Sequence, residues 1–178
     1  IGIITAIWLC SRKNRVPVMW MTDRLGVIAP ISGALIRFGN LFNSEIIGHQ
    51  TDMPWGFKFM RLYKGLPAEQ VPACHPTQLY EALCYIATFL LLWWMYHKTE
   101  APRRRGLLFG VALIGIFLTR FFIEFVKVNQ VAFEEGMSLN MGQWLSLPFV
   151  AIGIASVWYA LSHPAVVDDK KSVKSTKK

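Results

Sequence analysis

Arg37 and Arg120 stand within runs that are otherwise apolar enough to cross a bilayer, in RFGNLFNSE and RFFIEFVK. A cation within a transmembrane helix costs about 2.5–3.5 kcal/mol on insertion scales, so such a residue faces a cavity, a partner or a ligand rather than lipid. Arg37 lies six residues before Asn43 and Arg120 seven before Lys127, the positions at which the two apolar runs end. At about 1.5 Å of rise per residue both lie ~9–10 Å below the same boundary. The guanidinium fork binds phosphate through bidentate, charge-assisted hydrogen bonds and keeps its proton. The expected ligand at that depth is a lipid phosphate just under the headgroups; the alternative is that Arg37 snorkels to the surface.

The companions of the arginines extend this chemistry. Glu124 is four residues after Arg120 on the same helical face, so the two are expected to pair, either to orient Arg120 or as a purely structural ion pair. Asn40 and Asn43 follow Arg37 by three and six residues, with Glu45 near the exit. Amides so placed can orient a glycerol or ester group. In HPTQLYE, Pro76 fixes an extended entry, Thr77 is expected as a helix N-cap, and Gln78, Tyr80 and Glu81 fall in the first turns. His75 is a candidate general base or a structural hydrogen-bond partner, and Tyr80 a substrate contact or an interfacial anchor. Cys10, Cys74 and Cys84 show no metal-ligand spacing. Cys10 and Cys84 read as packing residues, and a Cys74–His75 nucleophile and base pair is disfavoured because adjacent residues seldom face each other.

These residues need helices to hold them. The chain is 53% hydrophobic, 13% aromatic and 17% charged over 178 residues, a composition rare in soluble domains. Apolar segments fall at 1–10, 25–42, 79–96, 107–126 and 141–162. All but the first approach the ~20 residues that span a bilayer, which predicts an all-α, polytopic, integral membrane bundle. The first segment reads as the remainder of a helix whose beginning is missing. We expect a transmembrane domain over 1–162 and a basic, disordered tail over 163–178.

Charge placement sets an expected orientation. Segment 11–24 carries Arg12, Lys13, Arg15 and Arg24 against Asp23, and 97–106 carries Lys98, Arg103, Arg104 and Arg105 against Glu100. The tail is also basic, whereas 43–78 balances and 127–140 is slightly acidic through Glu134 and Glu135. By the positive-inside rule the basic loops and the C-terminus face the cytoplasm, and loop 43–78 lies outside. That loop, rich in Pro and Gly, is expected to be irregular or short-helical. The +8 net charge therefore belongs to a membrane surface, and no interleaved aromatic pattern supports a nucleic-acid partner.

The runs RFGNLFNSE, HPTQLYE, TRFFIEF and SLNMGQWLS, in this order, resemble the bacterial prolipoprotein diacylglyceryl transferases up to about Leu161. The resemblance implies seven transmembrane helices in the family, with the first two and a His-Gly-Gly motif preceding this chain. It implies that Arg37 and Arg120 are the essential arginines, with Asn40, Asn43, Glu45 and Glu124 in the polar shell. It further implies transfer of a diacylglyceryl group from phosphatidylglycerol to the lipobox cysteine of a preprolipoprotein at the outer face of the bacterial inner membrane, with glycerol phosphate released. Arg37, Arg120, Asn40 and Glu45 are then the catalytic candidates, and Asn43, Glu124, His75 and Tyr80 substrate-binding ones. No metal or organic cofactor is signalled. Ile36, Leu41 and Ile116 depart from the family pattern, Ile116 standing where a Tyr is common. The rival readings are an anion or lipid-binding transporter subunit without chemistry, and a purely structural subunit.

Overall fold

The computed structural model describes residues 2–128 and 139–165. Glu134, Glu135 and the tail from 166 onward lie outside the described residues. Five helices follow in order: α1 (Gly2–Asn14), α2 (Val18–Asn43), α3 (Thr77–Lys98), α4 (Leu107–Ile123) and α5 (Met141–Ser162). A 3-10 turn over Glu124–Val126 continues α4. Four spans, Val18–Asn43, Thr77–Lys98, Leu107–Val126 and Met141–Ser162, are long and apolar enough to cross a membrane. The chain is thus an all-α polytopic membrane bundle.

The apolar segments predict α3, α4 and α5 to within three residues, but α2 begins seven residues earlier than expected. Pro17 sets its start, since proline is preorganised for a helix entry and lacks the N–H that would go unpaired there. Asp23 and Arg24, assigned by sequence to a loop, therefore lie in α2. Arg24 lays its guanidinium 3.4 Å from the centre of the Trp20 ring and donates to the Trp20 carbonyl. The long connection between α2 and α3 contains no helix. It holds a two-residue antiparallel pair, β1 (Phe57–Lys58) and β2 (Ala73–Cys74), in the register Phe57 with Cys74 and Lys58 with Ala73.

Helices α2 and α4 run from the basic-loop end towards the arginine end, and α3 and α5 run back. α4 is central: it packs on α5 on one side and on α2 and α3 on the other. In lipid the packing of small residues, rather than apolar burial, draws helices together. A Cβ at Gly110 would come within 2.7 Å of the Gly153 carbonyl oxygen, so only glycine permits the α4–α5 approach. One apolar cluster, with Val27, Leu92, Leu108, Ala112 and Ala160, fills the basic-loop half. A second, with Ala34, Ala82 and Tyr85 against Phe38, Ile86 and Ile116, lies under the arginines.

At the basic-loop end the start of α4 is capped from another helix. Asp23, 2% exposed, accepts from the Gly106 amide at 2.7 Å and the Phe109 amide at 2.9 Å. The carboxylate satisfies two of the orphan donors of a helix N-terminus and faces its positive dipole end. Gly106 adopts φ +91°, a conformation side chains resist, and its carbonyl accepts from Ser156 Oγ at 2.8 Å. Arg104 donates to the carbonyls of Ala160 and Leu161, closing the last turn of α5.

Asp23→Ala removes both acceptors. Each buried amide left unpaired costs ~1–3 kcal/mol, so the melting temperature of the solubilised protein should fall by several degrees. An unchanged melting curve would show that the carboxylate is dispensable for α4.

Candidate active site

The exit of α2 is held in an unfavourable conformation by clamps from two other helices. Ser44 and Ile46 have φ +59° and +60°, and the left-handed region is costly for a β-branched residue. Gln78 Nε2 donates to the Glu45 carbonyl at 2.6 Å and Thr77 Oγ1 to the Ile46 carbonyl at 3.0 Å. Thr77 is thus the first residue of α3 rather than its N-cap: its hydroxyl is turned towards the α2 exit, at the Ile46 carbonyl. The Val128 amide donates to Ile47, Gly48 to the His75 carbonyl, and His49 to the Val126 carbonyl. These bonds seat the α2 exit between the start of α3 and the end of α4.

Beneath this seat lies a buried charge network. Glu81 is fully buried, and its Oε1 is 3.0 Å from Lys127 Nζ. The same ammonium is 3.0 Å from Glu124 Oε2. Arg37 Nε stands 2.8 Å from Glu81 Oε2, off the N–H direction, so that contact is an ion pair rather than a hydrogen bond. The charges of Arg37, Lys127, Glu81 and Glu124 cancel. Arg120 remains as an additional cation, its buried Nε without a hydrogen-bond partner among the described residues.

The expected Arg120–Glu124 pair is not formed. At Glu124 the helix tightens to 3-10 geometry, in which residues three apart eclipse, and this delivers the carboxylate to Lys127 instead. Glu124 also lies against the N-terminus of α5, where a Cβ on Gly142 would come 2.6 Å from the carboxylate carbon. That helix opens with a capping box, Asn140 Oδ1 accepting from the Gln143 amide at 3.0 Å and Gln143 Oε1 from the Asn140 amide at 3.1 Å. Gln143 Nε2 further donates to the Phe121 carbonyl, tying α5 to the end of α4.

What unites the two arginines is Tyr85, 4% exposed on α3, whose phenol lies within electrostatic reach of Arg37, Arg120 and Glu81. Asn40 is half-buried and bonds neither arginine. Asn43 is exposed and accepts from Arg61 at 3.5 Å, while Glu45 is exposed and anchored through its backbone. His75 and Tyr80 form a separate group: His75 Nδ1 is 3.1 Å from the Tyr80 hydroxyl, which accepts from Trp55 Nε1 at 2.9 Å. Tyr80 lines an open cleft of about 620 Å³ together with Trp55, Phe57, Leu79 and Leu83. Cys74 is buried, and desolvation pushes its thiol above the ordinary range. It therefore stays protonated at neutral pH, a weak nucleophile.

A sequence model of the family described as prolipoprotein diacylglyceryl transferase matches residues 1–159. The chain belongs to this family. It is 51% identical over 172 residues to the phosphatidylglycerol–prolipoprotein diacylglyceryl transferase of Porphyromonas gingivalis, covering 92% of this chain and 61% of that protein. It is 44% identical to the Bacteroides fragilis protein of the same name over 98% of this chain and 58% of the relative. For the Tolumonas auensis protein of that name the identity is 43%, over 86% of this chain and 57% of the relative. The chain thus spans about three fifths of the length of these relatives. Membership of a transferase family leaves the transporter reading of the arginines without support.

Sequence reasoning noted Gln78 and Glu81 in the first turns of α3 but gave no site role to them, to Lys127 or to Tyr85. Charge bookkeeping could have found Glu81 and Lys127: Glu81 is an acid at the head of an otherwise apolar helix, and Lys127 follows Glu124 by three. Removing one partner of a buried ion pair leaves an uncompensated charge and costs ~3–5 kcal/mol. Lys127→Ala should therefore lower folded yield sharply, and the triple variant Lys127→Met, Glu81→Gln, Glu124→Gln should recover part of it. Unfolding curves in detergent check this, and a single variant as stable as the parent would contradict the network.

Proposed function

We propose that the protein carrying this chain transfers the diacylglyceryl group of phosphatidylglycerol to the lipobox cysteine thiol of a prolipoprotein. The observation that supports this most directly is the pair of arginines around one buried phenol, with Arg120 uncompensated by any carboxylate among the described residues. In the reaction a C–S bond forms at the glycerol carbon, the C–O bond to phosphate breaks, and glycerol phosphate leaves as an anion. The thiol loses its proton to a base, because the thiolate is the nucleophile.

Arg37 and Arg120 bind the phosphate and stabilise the charge that develops on it as the C–O bond lengthens. Glu81 fixes Arg37 from α3, and Lys127 with Glu124 holds Glu81 in place. Asn40, Asn43 and Glu45 meet the glycerol headgroup along the α2 exit. With hydrogen on Nδ1 facing Tyr80, His75 keeps Nε2 as a base among the chain's own residues. The orientation follows the basic loops: the site faces the outer side of the bacterial inner membrane, and the C-terminus is cytoplasmic.

The complete protein in detergent, given phosphatidylglycerol and a lipobox peptide, should add a diacylglyceryl mass to the peptide cysteine and release glycerol phosphate. Arg120→Ala breaks no ion pair among the described residues, so folding should be kept while kcat/KM falls by about two to three orders of magnitude, as when an oxyanion donor is lost. Turnover at the parent rate would remove Arg120 from the mechanism.

A further inference from the structure

Three helices each present an i, i+4 pair at the arginine end: Gly33 and Arg37 on α2, Glu81 and Tyr85 on α3, Ile116 and Arg120 on α4. Helical side chains lean towards the N-terminus of their own helix. Arg37 and Arg120 thus reach back from the arginine end into the bundle, whereas Tyr85, on the antiparallel α3, reaches up towards them. Its ring lies on bare backbone, for a Cβ at Gly33 would sit 3.1 Å from Tyr85 Cδ2. Ala34, Ala82 and Ile116 complete the apolar seat.

A phenylalanine would fill that seat equally well, so the hydroxyl needs its own account. Its oxygen interacts with the Arg37 guanidinium, which can only donate, so the phenol proton points elsewhere. Glu81 does not take it: its Oε1 accepts from Lys127 and its Oε2 has no hydrogen-bond partner. The Arg120 Nε–H is a buried donor without an acceptor among the described residues, and the Tyr85 phenol lies within electrostatic reach of the same pair of cations. An anionic oxygen between the guanidiniums can accept from both the Nε–H and the phenol.

We propose that Tyr85 is a substrate-binding residue, its hydroxyl donating to the phosphate of an anionic phospholipid held between Arg37 and Arg120. The inference rests on the transferase reading for the identity of the lipid. A hydrogen bond to a charged group contributes ~1.5–3 kcal/mol, which is about ten- to hundredfold in affinity.

The test compares the complete protein with Tyr85→Phe and Gly33→Ala, measuring phosphatidylglycerol and diacylglycerol binding by native mass spectrometry alongside turnover. Tyr85→Phe should keep the melting temperature, weaken phosphatidylglycerol binding about ten- to hundredfold, and leave binding of diacylglycerol, which lacks the phosphate, unchanged. Gly33→Ala, which pushes on the ring but keeps the hydroxyl, should weaken phosphatidylglycerol binding more mildly. In turnover, kcat/KM for phosphatidylglycerol should fall while KM for the peptide stays constant. Parent-like phosphatidylglycerol binding by Tyr85→Phe, or equal losses for both lipids, would overturn the proposal. If the parent binds phosphatidylglycerol but transfers nothing, the transferase reading fails and the binding data still decide the role of Tyr85.

Discussion

Lys127 is shared between Glu81 and Glu124 in a part of the bundle with almost no exposure, and the positions of three helices follow from keeping those charges together. Taking an ion out of water costs several kcal/mol even after relaxation, and close pairing is what offsets it. Glu81 comes from α3, Glu124 and Lys127 from the end of α4, and Arg37 from α2. Sliding any one helix by a turn, about 5.4 Å, would separate contacts of about 3 Å and leave an unpaired charge facing hydrocarbon. The network therefore sets the register of the helices that carry the arginines. It also gives the α2 exit a base to be clamped to, which is how the left-handed Ile46 is tolerated beside the site.

The other end of the bundle is pinned by a different device. Asp23 accepts amide donors at the start of α4, Ser156 and Arg104 bind carbonyls across to α5, and no cation contacts the Asp23 carboxylate within ion-pair distance among the described residues. A cap fixes where a helix begins, and the charge network fixes where α4 ends. Between them the close α4–α5 contact at Gly110 and Gly153 leaves little freedom for tilt. Arg120, close to the end of a helix held at both termini, is placed by these constraints without a carboxylate partner among the described residues.

The helices were legible because hydropathy over about twenty residues is a strong local signal, and α3, α4 and α5 match it closely. The intramembrane arginines were legible for the same reason, as charges where apolar residues should be. Partnership was not. Glu124 was matched to Arg120 by helical spacing, but a change to 3-10 geometry at one residue redirected it to Lys127, and no local pattern announces that change. Glu81 and Tyr85 acquire their meaning only when α3 is laid antiparallel to α2 and α4, a tertiary fact. Asp23 was misplaced because charge bookkeeping treated it as a loop residue, whereas Pro17 had already begun the helix.

The charge balance of the site bears on how the proposed reaction would be accelerated rather than merely bound. Arg37, Arg120 and Lys127 against Glu81 and Glu124 leave one net positive charge. A phosphodiester headgroup carries one negative charge, so the bound ground state is close to neutral. Cleavage of the ester C–O bond turns the diester into a monoester, and a second negative charge grows on the departing oxygen. Only interactions that strengthen along that path raise the rate. In the proposed reaction Glu81 tempers Arg37 in the ground state, while Arg120, without a counterion among the described residues, would be the group whose attraction rises as the new charge appears. A site with both arginines neutralised would hold the lipid without favouring the bond-breaking step. A site with neither neutralised would grip the doubly charged product most tightly of all and slow its release. The asymmetry between the two arginines among the described residues, one paired and one not, suits the proposed reaction better than either symmetric arrangement.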